Sequence, residues 1–243
     1  MRLAFISDIH ANLEALEAVL EDMERQKTDE VYCLGDVVGY GANPNECTEI
    51  ISKLCANVLL GNHDAVATGI LTTKHFNVHA RVAIEWTAEQ LTPENKNFLS
   101  ARSLSRATDL FTMVHATPYE PGMWYYITSL EEAAFNFQFF GTKVCFVGHT
   151  HIPMIIAMDD EEVFVHQGKQ VFFKGRDNLR LLINIGSVGQ PRDRNPESSY
   201  GILDTVEETF TLRRVPYNIT GAQNKMKKIK MPEFLINRLT EGR

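Results

Sequence analysis

Five short apolar runs in the first 151 residues each stop on Asp, Asn or His. They are Leu3-Ala-Phe-Ile-Ser-Asp8-Ile-His10, Val31-Tyr-Cys-Leu-Gly-Asp36, Val58-Leu-Leu-Gly-Asn62-His63-Asp64, Leu110-Phe-Thr-Met-Val-His115 and Val144-Cys-Phe-Val-Gly-His149-Thr-His151. Continuous apolar runs of this length read as strands buried on both faces. Between the first two, Leu13, Leu16, Leu20 and Met23 share one face of a helix that starts at Ala11 or Asn12. A second amphipathic stretch, Asn45 to Leu54, follows the second run, so strands and helices alternate as they do around a parallel sheet.

Residues 73–105 read as wholly helical, with Pro93 opening a further helix behind Thr92. Residues 128–140 form another helix, capped by Thr128 or Ser129. After His151 the pattern changes to a β meander: Met154 to Met158, Val163 to His166, Val171 to Phe173, Leu181 to Ile185, Tyr200 to Asp204 and Phe210 to Val215. This order predicts a mixed α/β, or α+β, architecture of two mixed β-sheets packed face to face with flanking helices. No repeat or linker divides the chain, so one domain spans residues 1–243, with 217–243 a helical tail packed on it.

In open α/β sheets, ligands bind beyond the carboxyl ends of the strands. Asp8 and His10 are two residues apart and point to the same side of an extended strand end, as do His149 and His151. Asp36, Asn62 and His115 complete a set of oxygen and nitrogen donors that suits Mn, Fe, Zn or Ni better than Ca or Mg. Taken singly, each has a plainer explanation: Asp8 a helix cap, His115 a satisfied core histidine, Gly35 and Gly61 turn residues. Five strand ends needing five separate explanations favour a metal site. Seven donors exceed what one tetrahedral ion needs, so two ions sharing Asp36 fit the count. Two ions about 3.5–4 Å apart activate a shared water and clamp an in-line displacement at phosphorus. The signatures of P-loop and nucleophile-elbow enzymes, GxxxxGK[ST] and GxSxG, are absent.

Composition narrows the picture further. The chain has 243 residues, 44% hydrophobic and 23% charged, with a net charge of −7. That is ordinary globular composition, without the basic excess of a dedicated nucleic-acid surface. The basic run Lys225, Lys227, Lys228 and Lys230 reads as a solvated helix face. No apolar run is long enough for a membrane span, and the first is too short for a signal peptide. The four cysteines, without close CxxC spacing, read as buried thiols of a reducing compartment, and the expected location is cytoplasmic.

Asp8-Ile-His10, Gly35-Asp36, Gly61-Asn62-His63-Asp64, His115 and Gly148-His149-Thr150-His151 resemble, in order, the five motifs of the calcineurin-like metallophosphoesterases. The match runs along the whole chain. Asn184-Ile-Gly-Ser-Val-Gly-Gln-Pro-Arg192-Asp and Pro232 to Arg243 resemble the small bacterial and archaeal phosphodiesterase branch. The resemblance implies a four-layer αββα sandwich and two divalent transition-metal ions, manganese first with Fe, Zn or Ni as alternatives. It implies that Asp8, His10, Asp36 and His151 hold one ion and Asp36, Asn62, His115 and His149 the other. His63 is then the histidine over the substrate that binds no metal, and Asp64 orients it. The chain departs from the family's protein phosphatases, since Asp36 is followed by Val-Val-Gly-Tyr-Gly, and His115 is followed by Ala116 where many relatives carry Gly.

The expected reaction is attack of a metal-bridging hydroxide on a phosphodiester or phosphomonoester of a small, nucleotide-like substrate. Protonated His63 stabilises the developing charge and serves the leaving group. Asn62 also faces the substrate. Arg192 is the candidate phosphate contact because a guanidinium matches phosphate oxygens in a bidentate way; pairing with Asp193 or Glu197 is its alternative. Asn12 supports the site or starts the first helix. Met123-Trp-Tyr-Tyr126 reads as core packing, with a pocket wall as the alternative, and His75, His79 and His166 as structural or surface residues. Loops 67–80, 116–127 and 187–198 shape specificity. A dinucleoside polyphosphate hydrolase and a non-catalytic scaffold of the same fold are the competing functions. Sequence leaves the oligomeric state open.

Overall fold

The first apolar run forms strand β1 (Arg2–Ile6), and its alternation sets the layering. Leu3 and Phe5 face one hydrophobic core while Ala4 and Ile6 face another, as the period of two along a strand requires. In this computed structural model, which describes residues 1–243, Ala4 and Ile6 pack under α1 (Leu13–Arg25) and α2 (Pro44–Leu54) through Leu16, Val19 and Ile51. Leu3 and Phe5 meet Phe111, Met113, Phe146 and Leu181 of a second sheet. Phe5 stacks on Phe146 with ring centroids 3.9 Å apart.

The first sheet runs β3 (Asn57–Val58), β2 (Glu30–Cys33), β1, β11 (Ser198–Asp204), β12 (Thr209–Val215), β9 (Gln170–Phe172). The second runs β4 (Ser105–Ala107), β5 (Phe111–Val114), β6 (Val144–Val147), β10 (Leu179–Asn184), β7 (Met154–Asp159), β8 (Glu162–Val165). Only the ladders β1–β2–β3 and β5–β6–β10 are parallel. On the far side of the second sheet, α6 (Leu130–Asn136) contributes Ala133 to a core with Val114, Cys145 and Leu182. The result is the four-layer αββα sandwich.

Three expectations need correction. Residues 73–105 are not wholly helical: they hold a 3-10 turn (Thr73–His75), α4 (Val78–Gln90) and α5 (Pro93–Ser100). Asn77 starts α4 by accepting from the Ala80 amide and Thr92 starts α5 by accepting from that of Asn95, while Ser105 already pairs with β5. The 128–140 helix is shorter than expected. Ser129 caps α6 in a box with Glu132, and the helix tightens to a 3-10 turn at Phe137–Phe139. The strands after His151 form no meander, because β9, β11 and β12 join the first sheet and β7, β8 and β10 the second. The third apolar run yields a strand of only two residues, β3.

Helix α3 (Asn62–Ala67) follows that short strand. The C-terminal helices α7 (Ile219–Lys228) and α8 (Glu233–Glu241) pack Ala222, Met226, Leu235 and Leu239 against Tyr40, Ala80 and Ala83. No helix is long and apolar enough to cross a membrane, and all four cysteines are free.

One buried carboxylate joins α1 to the first sheet. Asp22 accepts from Tyr200 Oη at 2.7 Å and from Arg213 Nε and Nη2 at 2.6 and 3.1 Å. Burial opposes its ionisation, but the Arg213 and Tyr200 hydrogen bonds outweigh that and hold it below the ordinary carboxylate value. As pH falls, the unfolded chain therefore takes up this proton first, so the stabilisation is complete above about pH 4 and lost as pH drops through the folded-state value. Asp22→Asn should cost about 1–3 kcal/mol in urea melts at pH 7, with the deficit shrinking below pH 4. An equal deficit at both pH values would show that charge at Asp22 contributes nothing.

Candidate metal centre

The five polar run-ends converge, but from two sheets rather than one edge. Asp8, His10, Asp36 and Asn62 follow β1, β2 and β3 of the first sheet, whereas His115, His149 and His151 follow β5 and β6 of the second. Asp8 (φ 54°), His10 (50°), Asp36 (52°), His149 (65°) and His151 (61°) all adopt left-handed backbone. Each strand therefore breaks sharply where its ligand stands, a conformation Asp and His tolerate better than most residues. The sheets approach closely here. A Cβ on Gly148 would lie 2.5 Å from Asp8 Oδ2, and one on Gly61 would collide with Asp36 Oδ1.

Backbone carbonyls dictate which imidazole nitrogens face inward. His10 Nδ1 donates to Val38 O at 3.1 Å, His115 Nδ1 to Leu34 O at 3.0 Å, and His151 Nδ1 to Gln190 O at 2.7 Å. A carbonyl only accepts, so these rings carry hydrogen on Nδ1 and turn Nε2 inward, bare wherever the ring is neutral. His149 is turned the other way: its Nε2 donates to Trp124 O at 3.1 Å and leaves Nδ1 as the free lone pair. Such outer hydrogen bonds are what fixes ligand histidines around a metal.

The inward atoms are nearly all acceptors. His10 Nε2 and His151 Nε2 stand 3.1 Å apart. His151 Nε2 lies 3.1 Å from Asp8 Oδ1, His10 Nε2 lies 3.7 Å from both Asp8 Oδ1 and Asp36 Oδ2, and His115 Nε2 lies 3.4 Å from Asp36 Oδ2. Asp8 Oδ1, Asn62 Oδ1 and His115 Nε2 are buried without a hydrogen-bond partner. Metal–donor bonds of about 2.0–2.2 Å place the donors of one shell about 3.0–3.5 Å apart, close to the spacings found. Three groups lie within metal-binding reach: Asp8, His10, His151; Asp36, His115, His149; and His10, Asp36, His63. Asp36 belongs to two of them, and the donor set fits divalent transition ions.

Electrostatics agree. Burial opposes ionisation of Asp8 and Asp36, yet His151 and His115 around the first, and His115 and His63 around the second, hold both carboxyls below their ordinary values. Burial pulls His10 well down, His151 down and His149 to about 3, which keeps them neutral. His115 differs: burial pushes it down, but Asp36 and Asp8 outweigh that and raise it to about 9. Any cation at that spot feels the same attraction.

Two expected roles change. Asp64 does not orient His63. Its Oδ1 accepts from the Val38 amide at 3.1 Å and its Oδ2 from that of Gly61 at 3.2 Å, so it ties the Asp36 loop to the Asn62 loop; His63 Nδ1 has no partner. Burial and the Asp36 charge push Asp64 up to about 7. Burial also draws His63 down to about 4 despite Asp36, which favours the neutral ring over the expected imidazolium. Its amide donates to Asp36 Oδ1 at 2.8 Å, and its ring sits among His10, Tyr40 and Phe76. Asn12 does both things expected of it, capping α1 at Ala15 and donating to Gly189 O. Arg192 donates to Gln190 Oε1 and lies beside Tyr40, while Asp193 pairs with Arg214 instead.

A cavity of about 530 Å³ opens beside this cluster, lined by Asn62, His63 and His149 together with Tyr40, Phe76, Trp124 and Tyr126. Met123 and Tyr126 are more than half exposed, so Met123 to Tyr126 walls the cavity and is not core. His75, expected at the surface, is exposed on the rim of the same cavity. Tyr40 and Phe76 went unrecognised because an isolated aromatic carries no positional signal in sequence.

The family model described as the calcineurin-like phosphoesterase superfamily domain matches residues 1–208. An uncharacterized protein of Methanocaldococcus jannaschii is 39% identical over 246 residues, covering 99% of this chain and 98% of that protein. The crystal structure of a metallophosphoesterase from Sphaerobacter thermophilus superposes with a TM-score of 0.88 at 40% identity, covering 100% of this chain and 99% of the other. A hypothetical protein of Pyrococcus horikoshii shares the fold, with a TM-score of 0.83 at 19% identity over 100% of this chain and 98% of its own.

Metal analysis and calorimetry test the donor set. Asp36→Asn should abolish tight binding of every ion the wild type holds. Gly148→Ala, which forces a methyl against Asp8, should weaken one ion by roughly 10–100-fold, the usual effect of disturbing a ligand's support. Unchanged binding in Asp36→Asn would remove Asp36 from the centre.

Proposed function

Because this chain belongs to the calcineurin-like phosphoesterase superfamily, we propose that it hydrolyses phosphodiester or phosphomonoester bonds of small, nucleotide-like substrates with two divalent transition-metal ions, manganese foremost. The observation that carries this is the buried cluster of unpartnered lone pairs, with Asp8, His10 and His151 in one group of donors, Asp36, His115 and His149 in another, and Asp36 Oδ2 3.7 Å from His10 Nε2. Asp8, His10, Asp36 and His151 hold one ion, and Asp36, Asn62, His115 and His149 the other. Bound there, the ions supply a water that ionises near neutral pH and positive charge for the phosphoryl oxygens.

The chain's own residues do the rest. Val38, Leu34, Gln190 and Trp124 carbonyls keep four imidazoles in the ligand tautomer. Neutral His63 keeps one N–H, enough to hold a phosphoryl oxygen or to pass a proton to the leaving oxygen. The Asn62 amide, with its oxygen toward the ions, offers its NH2 to the substrate. Arg192, held by Gln190 Oε1 beside Tyr40, is the residue that meets a phosphate oxygen. A scaffold of the same fold gains nothing from buried lone pairs left bare, since each costs about 1–3 kcal/mol without a partner.

Purified protein loaded with Mn should hydrolyse bis-p-nitrophenyl phosphate or p-nitrophenyl phosphate. No turnover of these or of dinucleoside polyphosphates at full metal loading would exclude the enzyme. His63→Ala should lower kcat by about 10²–10³ with metal content unchanged, and an unaltered kcat would remove His63 from proton transfer.

A further inference from the structure

The cavity beside the cluster is built almost without charge. No Lys or Arg lines it; its surface is made by Phe76 and Tyr40 from one direction and by Met123, Trp124 and Tyr126 from another. Both aromatic walls rest on histidines of the site. Phe76 packs on the His63 ring with centroids 4.6 Å apart, and Tyr126 stacks on the His149 ring at 4.2 Å and 23°. The walls are therefore as fixed as the cluster they flank.

The second wall is also a strained segment. Glu120 (φ 44°) and Trp124 (φ 58°) are both left-handed without being glycine, and they bracket a single 3-10 turn, Pro121–Met123. Strain of this kind persists where surrounding structure enforces it, often at ligand sites. Its consequence is visible: the Trp124 carbonyl turns to His149 while the indole lines the cavity. Trp124 Nε1 is buried without any acceptor.

We propose that this cavity makes the enzyme selective for esters carrying one phosphoryl group on a flat, uncharged ring system, of the aryl or nucleobase kind, with the ring packed against Phe76, Trp124 and Tyr126. This rests on the phosphoesterase reading above and sets its substrate class. A polyphosphate chain is disfavoured, because no Lys or Arg lines the cavity to meet its charges beyond the ions. The volume, about 530 Å³, lies within the range of pockets that enclose one small ligand, about 300–1,000 Å³.

Phenylphosphonate and methylphosphonate carry the same charge, are not hydrolysed, and differ only in the ring. Calorimetry on the Mn-loaded full-length protein should show phenylphosphonate binding on the order of tenfold tighter, the scale of one good aromatic stack. Tyr126→Ala and Phe76→Ala should each reduce that ratio severalfold. In kinetics, the preference in kcat/KM for thymidine 5′-phosphate over methyl phosphate should fall in parallel. Equal affinity for the two phosphonates, no binding of either, or a ratio untouched by Tyr126→Ala and Phe76→Ala would overturn the proposal. So would faster hydrolysis of a dinucleoside tetraphosphate than of the thymidine ester. Absence of turnover with ring-selective binding intact would instead fault the catalytic reading and leave the pocket standing.

Discussion

Four histidines at the junction of the two sheets are each committed, through one ring N–H, to a backbone carbonyl. That commitment leaves four inward-facing nitrogens and two ionised carboxylates sharing one buried space. Acceptors gathered in a low-dielectric interior repel one another and cannot be satisfied by each other. Only something positive, a proton or a metal ion, relieves them. The raised value of His115, about 9, is the protein's own response to that field, and a divalent ion answers it more fully.

Holding such a cluster requires backbone that the strands alone do not provide. Five of the candidate ligands are left-handed, each a local cost that surrounding contacts must offset. The offsets are identifiable. Asp64 bonds the amides of Val38 and Gly61 and so ties two ligand loops together. Asp8 Oδ2 takes the His149 amide at 3.0 Å, and Asp36 Oδ1 that of His63, so the carboxylates that face the ions also hold neighbouring loops. The inter-sheet core around Phe5, Phe111 and Phe146 fixes the two sheets against one another just beneath the site. Position of the ligands is thus set jointly by apolar packing and by the ligands' own second oxygens.

Much of this was legible in sequence, and what was not has a physical reason. Runs ending in Asp or His reveal strands and donors because burial on both faces demands uninterrupted apolar residues. The assignment of strands to sheets was not legible: β9, β11 and β12 look like their neighbours β7, β8 and β10, and only long-range pairing separates them. Asp64 was misread because the resemblance implied a partner for His63, whereas helix geometry at the start of α3 points its carboxylate back to Gly61 and across to Val38. The aromatic stretch at Met123 was misread because hydrophobicity alone does not say whether a segment lines a core or an open cavity.

The carbonyls that set the histidine tautomers belong mainly to loops. Val38, Trp124 and Gln190 lie in connections, and only Leu34 directly follows a strand. A carbonyl is the same whichever side chain its residue carries, so these contacts leave no trace in the sequence. For the same reason the side chains are free to differ where the backbone is not. At position 124 the carbonyl serves His149 while the indole serves the cavity. One residue thereby meets two separate demands, one on main-chain geometry, which sets a histidine of the cluster, and one on what projects from it, which shapes the cavity wall.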